Sequence, residues 1–328
     1  PCAVNGVHIA RARGGVRELI KRFRKSLPAG AMPHYLRLLA RTPIFDQDAA
    51  CTALRDPDVH AQRAAWERLS RFSFVQPAQE AGWFRLHPIM RECLLARAVP
   101  GELSDDTVND HKFFADYWRS RIESDSEITL TLAFYHHFYL DPKAEGAAWN
   151  AQAETARKEL DMLRHRHLLT LWSAFNLPEF AALSSEIAHE VALFASECVH
   201  ATVGSRAQWL TLAIACCETA RNTLTAPEFA RLRAATTNEL GNAYQQLPIG
   251  DRKQNLVRAI DCYRAAVETC TEQQFPYEWA MSQNSLGAVY SVFPVGDREA
   301  NLVAAIQCYE ASLRVFSRRE HPKDWAMT

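Results

Sequence analysis

"IGDRKQNLVRAIDCYRAAVETCTEQQFPYEWAM" occupies Ile249–Met281, and "VGDREANLVAAIQCYEASLRVFSRREHPKDWAM" occupies Val295–Met327. The second stretch repeats the pattern of the first, GDRxxNLVxAIxCY through WAM, 46 residues later. The same shift carries Ala213-Ile214-Ala215-Cys216 onto Ala259-Ile260-Asp261-Cys262 and onto Ala305-Ile306-Gln307-Cys308. It also carries Gly204 onto Gly250 and Gly296, Leu210 onto Leu256 and Leu302, and Trp279 onto Trp325. Three copies follow, at 181–226, 227–272 and 273–318, with the start of a fourth at 319–328. A unit of this size cannot bury its apolar face alone, so such copies stack on one another.

Each copy reads as two helices. The first carries Leu240-Gly241-x-x-Tyr244, or Leu286-Gly287-x-x-Tyr290, in which the small glycine admits a closely packed neighbour. The second carries Ala259, Ile260, Tyr263, Ala266 and Val267, an apolar stripe at helical spacing. Between them Gly250-Asp251 and Gly296-Asp297 read as the end of one helix and the cap of the next. Asp251-x-x-Gln254 and Ser205-x-x-Gln208 fit the capping box. The predicted fold is all-α.

The L-G-x-x-Y followed by A-x-x-x-Y-x-x-A resembles the tetratricopeptide repeat family, although that family's usual period is about 34 residues. The additional length implies longer helices or longer turns. The long form, with WAM, GDRxxNL and AIxCYxxA, is similar to repeats of large bacterial signalling proteins, often beside caspase-like CHAT protease domains. The resemblance implies an α-solenoid whose first helices line a concave groove. There Asn238, Asn242 and Gln245 share one face, with Asn284 and Ser291 at matching positions of the next copy. An amide side chain offers both a donor and an acceptor to an extended peptide backbone.

Residues 33–98 have another texture. Pro33–Arg41 is amphipathic, Asp46 caps a second helix, and a third leads through Trp66 into two alternating stretches, Phe72–Gln76 and Trp83–His87. Pro88 then opens a further helix. Three helices, a β-hairpin and a helix make a winged-helix pattern. "RLSRFSFVQ" and "GWFRLHPIMRECL" resemble the winged helix of STAND-class signalling ATPases of the NB-ARC type. In that family a Met-His-Asp motif reads the diphosphate of bound ADP, and a proline upstream touches adenine. The resemblance places His87 and Pro1 in those roles, given an upstream nucleotide core; Pro88 stands where the family has Asp. No GxxxxGK[ST] occurs in the 328 residues, so ADP or ATP is expected only in a longer protein carrying that core, with no cofactor bound by this stretch. The chain stops early in a fourth first helix, which reads as a fragment.

Residues 1–32 form a basic amphipathic segment in which Arg17, Lys21, Arg22, Arg24 and Lys25 overlie Val16, Leu19, Ile20 and Phe23. They read as the end of an upstream domain, and residues 99–180 as a helical linker. Hydrophobic content of 48% and a net charge of −1 describe an ordinary globular chain with no electrostatic demand for nucleic acid or a membrane surface. Nine cysteines without a signal peptide read as reduced thiols in a cytoplasmic protein. His111, His136-His137 and His165-x-His167 lack metal-ligand spacing, and no G-x-S-x-G or Cys–His pair stands out, so neither a metal nor a catalytic residue is expected. The expected function is a non-enzymatic, protein- or peptide-binding sensor and scaffold region of a STAND-like ATPase, its winged helix relaying to the nucleotide core. The alternatives are a scaffold that docks and restrains a CHAT-type protease, and a DNA-binding regulator using Arg63, Arg68 and Arg71.

Overall fold

The computed structural model describes residues 32–71, 73–88, 91, 94–95, 100, 103–121, 127–175, 177, 181–182, 184–202 and 204–328. Pro1 and the basic segment up to residue 31 lie outside the described residues. The chain is predominantly helical with one small sheet, and it divides into two compact units, residues 1–141 and 142–328. No helix among the described residues is long and apolar enough to cross a membrane.

In the first unit, α1 (Met32–Arg41) buries Tyr35, Leu36, Leu38 and Leu39. β1 is Phe45–Asp46, followed by α2 (Gln47–Ala53) and α3 (Val59–Leu69). Asp46 caps α2 as expected, its Oδ1 accepting from Ala49 N at 2.7 Å. β2 (Val75–Pro77) and β3 (Trp83–Leu86) pair antiparallel, with Val75 opposite Leu86. The expectation of a single hairpin is corrected here. Phe45 also pairs with Phe84, giving a three-stranded sheet of order β1-β3-β2. A two-residue strand is too short to show alternation, so only its partner reveals it. Pro88, Arg91 and Leu94 are helical; the residues between them lie outside the described set.

The stretch expected to be a linker is not one body. α4 (Asp105–Arg119) and α5 (Glu127–Leu140) belong to the first unit, where Phe114, Trp118, Leu132 and Ala133 join the core of α1–α3 and the sheet. Between α4 and α5 the rings of His111 and His136 meet, Nδ1 to Nδ1 at 3.0 Å, so one nitrogen carries the proton and donates. His111 stacks on Tyr139, and burial drives its pKa down to about 3, aided by the charges of Arg41 and Arg91. His136 is lowered as well, by burial first and then by His111 and Arg91.

The second unit opens with α6 (Pro142–Lys158), α7 (Met162–Thr170) and a 3-10 turn, Leu171–Ala174. Three helix pairs follow: α8 (Ser185–His200) with α9 (Arg206–Thr223), α10 (Ala230–Gln246) with α11 (Arg252–Thr269), and α12 (Pro276–Val292) with α13 (Arg298–Leu313). The short α14 (Pro322–Met327) ends the chain. Each helix from α8 to α13 packs on its neighbours in the series, α6 and α7 cover α8, and the first helices also touch directly, α8 on α10 and α10 on α12. Helices of 16–18 residues take up much of the 46-residue period.

The recurring words of the repeat have physical meanings. Gly241 lies against the second helix of its own pair: a Cβ there would come within 2.5 Å of the Tyr263 ring. Gly287 meets Tyr309 at 3.0 Å in the same way. Gly204, Gly250 and Gly296 all adopt positive φ, between 79° and 87°, where a side chain is strained. They stand four residues past the end of the first helix, directly before the cap, and so are turn residues, not helix-ending ones. Asp251 Oδ1 accepts from Lys253 N and Gln254 N, and Asp297 Oδ1 from Glu299 N. Ser205 occupies the same position but makes no side-chain cap, which corrects its reading as a capping box.

Candidate functional site

The remaining letters of GDRxxNL lock the turn. Arg298 donates to Ser291 O at 2.7 Å, the equivalent Arg252 to Gln245 O, and Arg206 to Ala201 O at 2.9 Å. Each supplies a donor to the open carbonyls at the end of the preceding first helix. Asn255 Nδ2 donates to Ile249 O and Asn301 Nδ2 to Val295 O, both at 2.8 Å. The cleft beside the α10–α11 turn is lined by Arg206 and Arg252. Both guanidiniums are engaged in this capping, so the cleft is a by-product of the turn.

The first helices carry the expected groove residues, and the structure treats them unequally. Asn242 Oδ1 and Gln245 Oε1 each lie 2.8 Å from the Tyr263 hydroxyl, which donates to one of them at a time. Asn242 Nδ2 donates to Glu239 Oε2 at 3.3 Å. Ser291 donates to Ala288 O at 2.8 Å, within its own helix. Those three are satisfied by their own unit. Asn238 and Asn284 are not: both Oδ1 atoms are buried with no hydrogen-bond partner among the described residues, and Asn238 is only 5% exposed. These two residues are one repeat apart, so the same acceptor recurs in successive first helices that touch each other.

Beside this row lies a polar cluster that sequence reasoning missed. Glu197 Oε2 of α8 accepts from Arg157 Nε of α6 at 3.2 Å and lies 3.0 Å from His165 Nε2 of α7. Burial acts to raise the Glu197 carboxyl, but the His165 hydrogen bond and the Arg157 charge overcome it, and the net direction is down. Glu239 of α10 goes the other way, raised by burial against the charge of His200 and the Asn242 hydrogen bond. Four helices contribute to this cluster, and no spacing in the chain announces it. The groups it brings together are a carboxylate, a guanidinium and an imidazole.

Glu190, one helical stretch before Glu197, is 7% exposed and fills the space left by Gly146 of α6. Burial raises its carboxyl to about 7, helped by Glu186 and opposed by Lys143. The cysteines at the shared repeat position are apolar packing: Cys216 and Cys262 are buried, and burial lifts their thiols to about 12 and about 11. That is the direction of an unreactive thiol. His111, His136, His137, His165 and His167 form no group of three or more metal-ligating side chains among the described residues.

In the first unit, His87 is half-buried at the end of β3; its N–H donates to Phe74 O at 2.7 Å and its carbonyl accepts from Arg91 N. The backbone of His87 is thus fixed by the sheet and by the turn that Pro88 opens. Arg63, Arg68 and Arg71 are exposed, with Glu67 among them.

Comparison with family models, with curated proteins and with solved structures returns no match.

Proposed function

We propose that the second unit is a tetratricopeptide-like α-solenoid whose first helices bind an extended peptide or protein segment. In this reading the chain is the non-enzymatic sensor and scaffold region of a STAND-like signalling ATPase, and residues 33–98 are the winged helix that relays occupancy. One observation carries the binding reading: the repeated, buried and unpartnered amide oxygens of Asn238 and Asn284. An unmet buried acceptor costs about 1–3 kcal/mol, and most buried polar groups in native proteins are paired. A ligand whose backbone N–H groups are spaced along the row removes that cost. The direct contact of α8 with α10 and of α10 with α12 supports a curved stack with the first helices inside.

The test is capture of peptides from a displayed random library by the whole 328-residue chain, followed by affinity measurement on the Asn238→Ala/Asn284→Ala double variant. Loss of two such hydrogen bonds weakens binding by tens-fold or more. Stability should change by only about 1 kcal/mol, because the removed oxygens are unsatisfied. Arg63→Ala/Arg68→Ala in the first unit should leave affinity unchanged. Retained affinity in the first variant together with loss in the second would reject this division of labour.

A further inference from the structure

Asn238 and Asn284 recur one repeat apart, but the position after them does not. In the three first helices it is Leu193 in α8, Glu239 in α10 and Ser285 in α12. A carboxyl group stands there in the middle helix alone. Glu239 shares a face of α10 with Asn238 and Asn242: Asn242 lies one turn after both and donates its Nδ2 to Glu239 Oε2 at 3.3 Å. Glu239 is half-buried, so its carboxyl is covered but reachable.

The charges around Glu239 do not close on it. Glu197 of α8 is held by Arg157 at 3.2 Å and His165 at 3.0 Å. No lysine, arginine or histidine among the described residues lies within ion-pair distance of Glu239; Arg157 and His200 act on it from farther away. The two carboxyl groups thus share one guanidinium, and Glu197 has taken it. Burial, with no cation in contact to oppose it, disfavours the charged form of Glu239. On the adjacent residue, Asn238 Oδ1 is buried and unpartnered, and Asn238 itself is 5% exposed. An unmet amide oxygen next to a carboxyl without a counter-ion matches a group with several N–H donors, no acceptor and a positive charge. A backbone N–H would meet the amide oxygen and leave the carboxyl as it is. An anionic group would be repelled.

We propose that the segment bound along the first helices carries a cationic side chain, arginine or lysine, that seats on α10 against Asn238 and Glu239. The proposal rests on the peptide-binding reading above and adds the chemistry that selects the peptide. Seated there, the cation supplies the counter-ion that Glu239 lacks. Leu193 and Ser285 contribute no charge at the equivalent positions, so the basic residue has one seat on the row and fixes the register of the segment.

Peptides captured from a displayed random library by the whole 328-residue chain are the probe. They should be enriched in arginine or lysine at one fixed position, and whichever is enriched names the cation. Replacing that arginine by citrulline, or that lysine by norleucine, should weaken binding about tenfold or more, because a charge-assisted pair is lost. Glu239→Gln should weaken the cationic peptide by a similar factor and leave the neutral peptide unchanged. The peptide substitution alters nothing in the protein, so the pair of measurements separates a direct contact from a change in fold. Glu239→Lys in the same selection should turn the enrichment to aspartate and glutamate. Peptides that lose affinity in the Asn238→Ala/Asn284→Ala variant but show no basic enrichment would overturn the cationic seat and leave peptide binding standing. So would cationic peptides that bind Glu239→Gln as tightly as the unaltered chain. Capture of no peptide, or capture indifferent to the asparagine pair, would overturn the peptide reading and the seat with it.

Discussion

Glycine 241 shows how much a single missing carbon decides. Its neighbour is Tyr263, fully buried and held by Asn242 and Gln245 through its hydroxyl. An added methyl at 241 has nowhere to go unless the ring and its hydrogen bonds shift. Gly287 faces Tyr309, which is only half-buried, at a longer 3.0 Å. Gly241→Ala should therefore cost about 2–3 kcal/mol and Gly287→Ala clearly less, following the usual penalty for overpacking and a small gain in helix propensity. Urea unfolding at constant m-value reads both; equal losses would contradict the packing difference. The sequence marked these glycines as points of close approach. It did not say that the approaching group is the tyrosine of the same pair.

At the scale of elements, the α10–α11 and α12–α13 turns are built from side chains that serve the backbone. Glycine supplies the positive φ, aspartate caps the helix ahead, arginine caps the helix behind, and asparagine holds the loop between. Asn255 is buried and its donation to Ile249 O has no substitute, so Asn255→Ala should lower stability by about 1–2 kcal/mol. Asn255→Asp should cost more, since it sets an acceptor against a carbonyl. If thermal unfolding ranks these two variants in the opposite order, the asparagine is not acting as a donor. Gly and Asp were legible in the sequence because turns and caps have strong residue preferences. Arg252 and Asn255 were not, because a surface arginine and a helix-first-turn asparagine look like solvated polar residues until the loop closes over them.

Across the molecule, two buried groups, Glu190 and His111, respond to pH with opposite sign. Glu190 in the second unit titrates near 7 when folded and in the ordinary carboxylate range when unfolded. The folded state therefore holds a proton that the unfolded chain has released, and stability falls as pH rises through roughly 4.5 to 7. Glu190→Gln should raise stability on the order of 3 kcal/mol at pH 8 and leave it nearly unchanged at pH 4. His111 in the first unit has the reverse sign. Its folded pKa is lowered to about 3, so its contribution is complete above about 6.5 and is lost as pH falls toward 3. His136 adds to that loss in the same direction, with Arg41 and Arg91 opposing charge on the pair. Protection of residues 105–119 and 127–140 against hydrogen exchange should therefore fall as pH drops from about 6.5 toward 3; protection unchanged over that range would refute the His111 assignment. By itself the sequence determined the helix pairs, their 46-residue period, the capping aspartates and the shared face of the asparagines, because these follow from local propensity and from repetition. Only the tertiary structure decided that Asn242, Gln245 and Ser291 are satisfied within the unit while Asn238 and Asn284 are not, that Phe45-Asp46 is a strand, and that residues 99–180 divide between two cores. Each of those depends on a partner distant along the chain, and neither pattern nor propensity records which distant partner a side chain will meet.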